Sequence, residues 1–190
     1  MSTITTRSHN GVDIPAPGTF KIDPSHTIVG FVARHLMVTK VRGRFTQVDG
    51  TVTIAENPLE SSAQAVLQTA SVTTNDEGRD KHVKSADFFD IDNYPTIEFA
   101  STGLKEGGKG RYVLTGDLTI KGVTKPVELD VEFEGVAGDP WGGERMGFTA
   151  STEVEREDWG LGWNVALESG GVLVSKKIKL ELEVQAVRQA

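Results

Sequence analysis

The strongest constraint on this chain is a period of two. Residues 125–135 (KPVELDVEFEG) place Val127, Leu129, Val131 and Phe133 on one face, with Glu128, Asp130, Glu132 and Glu134 on the other. Residues 177–187 repeat the scheme, Ile178, Leu180, Leu182, Val184 and Ala186 alternating with Lys177, Lys179, Glu181, Glu183 and Gln185. Residues 111–121 and 145–154 carry the same pattern through Tyr112, Leu114, Leu118 and Ile120, and through Met146, Phe148, Ala150 and Val154. Alternation of this kind belongs to half-exposed antiparallel strands. Weaker strands are expected at 20–22, 27–34, 44–54, 63–69 and 96–102. Turn signals fall at Glu106-Gly107-Gly108, Lys121-Gly122-Val123 and Gly138-Asp139-Pro140.

That makes about eight strands with an apolar face and no long amphipathic helix to cover it. The sheet must close on itself or split into a sandwich. Strands of ten residues or more are long for a sandwich. The expected fold is therefore all-β: an extended antiparallel β-barrel with one or two short helices. One helical turn is expected at 35–41 and a short polar helix within 74–87, where Thr-Asn-Asp-Glu has capping-box spacing.

Composition narrows the function classes. A formal charge of −7 argues against a general nucleic-acid or anionic-membrane surface, because either needs a positive field. The absence of cysteine removes disulfides and thiol catalysis. No run approaches the ~20 apolar residues of a membrane span, so no stable membrane insertion is expected. Residues 1–18 lack the apolar core of a secretory signal and read as a disordered polar tail, with a barrel over 19–190 and a cytoplasmic address.

Chemistry concentrates in RDKHVKSADFFDIDNYP, residues 79–95. A metal site there is disfavoured, because ligands cluster at short fixed spacings and only Asp80 and His82 are close neighbours. No nucleophile elbow is present. The informative signal is charge asymmetry: between Asp23 and Asp49 there is no carboxylate, while Arg34, Lys40, Arg42, Arg44, His26 and His35 all fall inside. Residues 76–92 are the acidic complement. Two readings follow: the segments pair as an electrostatic clasp, or some basic groups stay free for a ligand's head group. Gly43 permits a close approach or a kink. REDWGLGW, residues 156–163, suggests a bulge turning Trp159 and Trp163 inward.

Four segments together resemble a known family: FKIDPSHTIVGFVARHLMVTKVRGRF (20–45), RDKHVKSADFFDIDNYPTIEF (79–99), GDLTIKGVTKPVEL (116–129) and REDWGLGW (156–163). They look like the YceI-like, polyisoprenoid-binding, lipocalin-like proteins, over about 19–187. By that resemblance Asp23, His26, Arg34, His35, Arg42, Gly43, Phe45, Arg79, Asp80, His82, Phe88, Phe89, Tyr94 and Pro95 hold characteristic positions. It implies a lipocalin-like barrel with a deep apolar pocket for a polyprenyl chain or quinone tail, and brings a homodimer into view. The ligand-binding residues expected are Phe31, His35, Met37, Arg42, Phe45, Phe88, Phe89, Phe99, Leu118, Phe148, Trp159 and Trp163. No catalytic residue, metal or cofactor is assigned. The alternatives are another amphiphile, a fatty acid or fatty amide, in the same cavity, and a head-group hydrolase using Asp80 and His82.

Overall fold

The computed structural model describes residues 4–190. Its strands are β1 (Thr6–His9), β2 (Val12–Pro15), β3 (Gly18–Ile22), β4 (Ile28–His35), β5 (Thr39–Phe45), β6 (Val48–Ile54), β7 (Ser62–Gln68), β8 (Val72–Thr73), β9 (Thr96–Gly108), β10 (Arg111–Ile120), β11 (Val123–Gly138), β12 (Glu144–Glu155) and β13 (Lys177–Arg188). A helix, α1 (Glu77–Lys84), lies between β8 and β9. The pairing order β13-β12-β11-β10-β9-β7-β6-β3 returns to β13, which closes an eight-stranded antiparallel barrel.

The closure is uneven. Near its C-terminus β13 pairs with β3 (Ala186↔Ile22), and nearer its start with β4 (Leu180↔Phe31). Between β3 and β4 sits a 3-10 turn, Pro24–His26, with Asp23 as its N-cap. From there β4, β5 and β8 leave the closed ring as a flap. The barrel is thus sealed at the β3 end and splayed at the other. Its interior is filled by the apolar faces read from the sequence, including Leu114, Leu118, Val127, Leu129, Ala150 and Val184. Each fully buried aliphatic side chain of this size contributes about 1.5–3 kcal/mol.

Several local expectations are corrected. Residues 6–15, read as part of a disordered tail, form a hairpin that buries Ile14 and Pro15. Its Asn10-Gly11 turn has φ of 49° and 73°, the left-handed geometry that this dipeptide serves best. Residues 35–41 form a β-hairpin turn, not a helical turn. Leu36 and Met37 hold φ of 52° and 59°, and the Val38 N–H bonds the His35 carbonyl at 3.0 Å. For side chains with a Cβ this conformation costs about 1–2 kcal/mol per residue. The strand expected over 44–54 breaks at Thr46-Gln47, where the chain leaves β8 and takes β7 as partner. β9 continues through Gly108, so the turn comes at Lys109-Gly110. The 156–163 segment is no bulge: Arg156–Trp159 is a 3-10 turn ended by left-handed Gly160, φ 77°.

Helix α1 is present, but its cap is Asp76, whose carboxylate accepts the Arg79 N–H at 2.8 Å. The hydroxyl of Thr74 instead donates to Asp80, at 2.5 Å, and ties the helix to β8. After the helix, residues 85–95 cross the splayed end as a strap. It is anchored where Thr69 donates to the carbonyls of Pro95 and Tyr94, at 2.9 and 2.8 Å.

Candidate functional site

The splayed end opens into an apolar chamber of about 540 Å³. This lies within the roughly 300–1,000 Å³ of small-molecule sites. Period-two geometry decides its wall. On β4, Val29, Phe31 and Ala33 face inward, and on β5 the inward set is Val41, Gly43 and Phe45. A Cβ on Gly43 would lie 2.2 Å from the Phe31 ring, so glycine here makes room for that aromatic. The strap supplies Phe89, which meets Phe45 at 5.5 Å and Phe31 at 6.5 Å between ring centres, both edge to face. A second cluster joins Phe88, His82 and Trp163, with His82–Trp163 at 4.5 Å.

Below the mouth lies a second apolar chamber of about 110 Å³, sharing Leu67, Ile97 and Leu180 with the first. A third, also about 110 Å³, shares Val52, Leu114 and Phe148 with the second and reaches Ile14 and Pro15 of β2. Shared side chains separate the three, so the interior is a file of apolar spaces along the barrel.

The twelve expected ligand residues divide accordingly. Phe31, His35, Phe45, Phe88, Phe89, Trp159 and Trp163 line the mouth chamber. Phe99, Leu118 and Phe148 line the second. Arg42 does not face the interior: alternation along β5 points it outward, where it meets Glu181 at 3.4 Å. Met37 is also outside the chamber, half-exposed on the hairpin tip.

The clasp is not formed. Among the described residues no ion pair joins 24–48 to 76–92: Arg42 pairs with Glu181, and His82 with Asp87 at 2.8 Å. Lys40, Arg42 and Arg44 share the outer face of β5, and aromatic packing holds the strap instead. Asp80 and His82 make no dyad either. Asp80 accepts from Thr73 and Thr74 of the β8 edge, while His82 turns to Asp87 and Trp163. Residues two apart on a helix face different ways. Burial would raise the Asp80 carboxyl, but the Thr74 and Thr73 donors and nearby Lys84 outweigh it and hold it below the ordinary range. Among the described residues no group of three or more His, Asp or Glu side chains is placed to hold a metal.

Sequence reasoning missed Arg156. It is 6% exposed, lines the mouth chamber and has no carboxylate partner among the described residues. Its guanidinium donates to the carbonyls of Ser175 at 2.9 Å, Val174 at 3.5 Å and Leu161, which braces the 160–176 loop. It also sits 5.8 Å from the centre of the Phe88 ring. Burial pushes its pKa down, partly offset by Glu157, but a guanidinium stays charged in proteins. Arg34, His35, Arg79, His82 and Arg156 all border this chamber, and no carboxylate does. In a chain of net charge −7 the mouth is locally basic, and the interior behind it is apolar.

A family model for the YceI-like domain matches residues 20–186. The chain belongs to the YceI-like family. A UPF0312 protein of Photorhabdus laumondii is 43% identical over 143 residues, 74% of each chain. Burkholderia cenocepacia BcnA superposes with a TM-score of 0.74 at 23% identity, covering 86% of this chain and 98% of that one. A polyisoprenoid-binding domain from Saccharophagus degradans, implicated in plant cell wall breakdown, superposes at 0.68 with 14% identity, covering 90% and 98%. At these identities the two structures bear on the fold alone. In this YceI-like chain the signal for Arg156 was available: an arginine opening the REDWGLGW segment, next to the tryptophan that enters the barrel. Trp159 is buried and donates its indole N–H to the Leu118 carbonyl at 2.9 Å, which seats Arg156 at the rim.

Proposed function

We propose that the protein is a carrier that holds a polyprenyl-chain amphiphile, tail inward, with its head at the Arg156 rim. The file of apolar chambers behind a basic mouth is the observation that carries this reading. The domain name given to the Saccharophagus relative, polyisoprenoid-binding, is consistent with it. Phe31, Phe45, Phe88 and Phe89 would grip the first part of the tail and Phe99, Leu118 and Phe148 the next. Of the five N–H groups on Arg156, three are bound to carbonyls, leaving two for a head-group oxygen.

Energetics favour a carrier. Removing one isoprene unit from water is worth about 4 kcal/mol, at ~0.8 per carbon. Such a lipid resides in a membrane, however, and moving it from one apolar phase to another is nearly neutral. Head-group contacts then decide between retention and release. Native mass spectrometry of freshly purified protein, with extraction of the bound lipid, tests this. Bound masses spaced by one five-carbon unit are expected. An acyl mass would reassign the cargo to a fatty acid or amide. Apo protein that takes up no polyprenyl lipid on titration would end the proposal.

A further inference from the structure

The β4–β5 hairpin is built against the usual preferences of a surface turn. Leu36, Met37 and Val38 at its tip are 42%, 52% and 76% exposed. Single exposed apolar residues are ordinary, but three in succession on a protruding tip are not. Leu36 and Met37 also hold left-handed backbone, which the same protein gives to Asn10-Gly11 in its N-terminal hairpin. One step below the tip, Arg34 and Lys40 stand directly opposite each other on β4 and β5. Like charges in that position repel; among the described residues neither forms an ion pair, and Glu181, whose carboxylate Lys40 feels through space, is already paired with Lys179 and Arg42.

The tip also stands at the mouth. His35 and Thr39, its two base residues, line the chamber. The Leu36 N–H bonds the Leu173 carbonyl at 2.8 Å, and the Leu173 N–H bonds Val165, another exposed apolar residue at 44%. Apolar side chains therefore project from the rim on both sides of that contact, with cations just behind them.

We propose that this lip docks on the surface of an anionic lipid bilayer. Leu36, Met37 and Val38 would enter the boundary between head groups and acyl chains, and Arg34 and Lys40 would meet lipid phosphates. Each unfavourable feature in water becomes favourable there: apolar exposure is covered and paired positive charge is neutralised. Docking sets the chamber mouth against the bilayer, so an apolar tail passes between membrane and barrel without crossing water. The inference rests on the carrier reading for its purpose, and on the hairpin alone for its geometry.

Full-length protein is co-sedimented with vesicles of phosphatidylcholine, with or without about one-third phosphatidylglycerol. Binding is expected on the mixed vesicles and weaker in high salt. Leu36→Asn with Met37→Gly should lower the partition coefficient by about tenfold or more. Its melting temperature should hold or rise, because Asn-Gly suits the turn. Lys40→Gln, which leaves the turn intact, should weaken binding to the mixed vesicles only. No partition of the wild type onto either vesicle, or equal binding by the Asn-Gly variant, overturns the docking. Native mass spectrometry of the same samples separates the two readings. Loaded protein that ignores vesicles sinks the docking alone, and vesicle-bound protein that is empty and takes up no polyprenyl lipid on titration sinks the carrier reading alone.

Discussion

At the residue scale, Asp23 shows how one side chain joins distant parts of the chain. Its carboxylate accepts from the Ser25 N–H and hydroxyl at 2.9 and 2.6 Å, and from Arg145 at 2.6 Å, with His26 at 2.9 Å. Arg145 in turn binds Asp139 at 2.8 Å, so the β3–β4 break is pinned to the β11–β12 connection. The Ser25 bonds foremost, then Arg145 and His26, against some opposing burial, depress the Asp23 carboxyl below its ordinary 3.8. A depressed carboxyl stabilises the fold at pH values above its unfolded pKa, and that contribution fades as pH falls toward the folded value. Asp23→Asn should therefore cost about 2 kcal/mol near neutral pH. The difference from wild type should shrink below about pH 4. Urea melts across pH check this, and a constant difference at every pH would refute it. Asp23 and Arg156 taught opposite lessons in the sequence. The family resemblance marked the first as a characteristic position, while the second, though it opens the REDWGLGW segment, was set apart only by its burial.

At the element scale, the strap of 85–95 is held by rings. Phe89 fills the angle between Phe31 and Phe45, and Phe88 sits among His82, Trp163 and Arg156. Replacing both phenylalanines by alanine should destabilise the protein by about 3 kcal/mol or more and lower lipid retention. Thermal melts with and without extracted lipid measure both effects, and an unchanged midpoint would mean the rings carry no load. By the resemblance both phenylalanines were expected among the ligand residues, and one of the two charge readings gave the holding force to a clasp. Side chains on alternate sides of a strand diverge, and Lys40, Arg42 and Arg44 of β5 turn outward while the strap lies inside. Charge composition along a segment does not reveal that choice of face. The helix before the strap was legible from its polar, cap-rich start, yet its cap shifted from Thr74 to Asp76 once Asp80 offered Thr74 a partner.

At the scale of the whole molecule, the uneven closure matters most. β13 serves β3 at one end and β4 at the other, so one end seals and the other opens into the mouth chamber. If the tail runs through the file of chambers, a plug in the second should shorten what the protein carries. Ala150 is buried on its wall. Ala150→Phe should overpack it at a cost of about 1–3 kcal/mol and shift the extracted lipid toward shorter chains. Mass spectrometry of that lipid is the check, and an unaltered length distribution would show that the tail ends above this level.

The alternation in 111–121, 125–135, 145–154 and 177–187 by itself determined that the fold is antiparallel and half-buried. With no helix to cover the apolar face, the sheet had to close or to split into a sandwich, and strand length favoured closure. These are properties of each strand's own side chains, which a two-residue repeat dictates wherever the strand lies. Only the tertiary structure decided which face of β4 lines the interior, since Val29 and Phe31 are no more apolar than Ile28 and Val32. It also decided that Arg42 faces solvent, that Arg156 is buried at the rim, and that Leu36 and Met37 stand exposed in a left-handed turn. Each of these depends on a partner far along the chain, Glu181, Ser175 and Leu173 respectively. A partner so distant leaves no periodic trace in the local sequence.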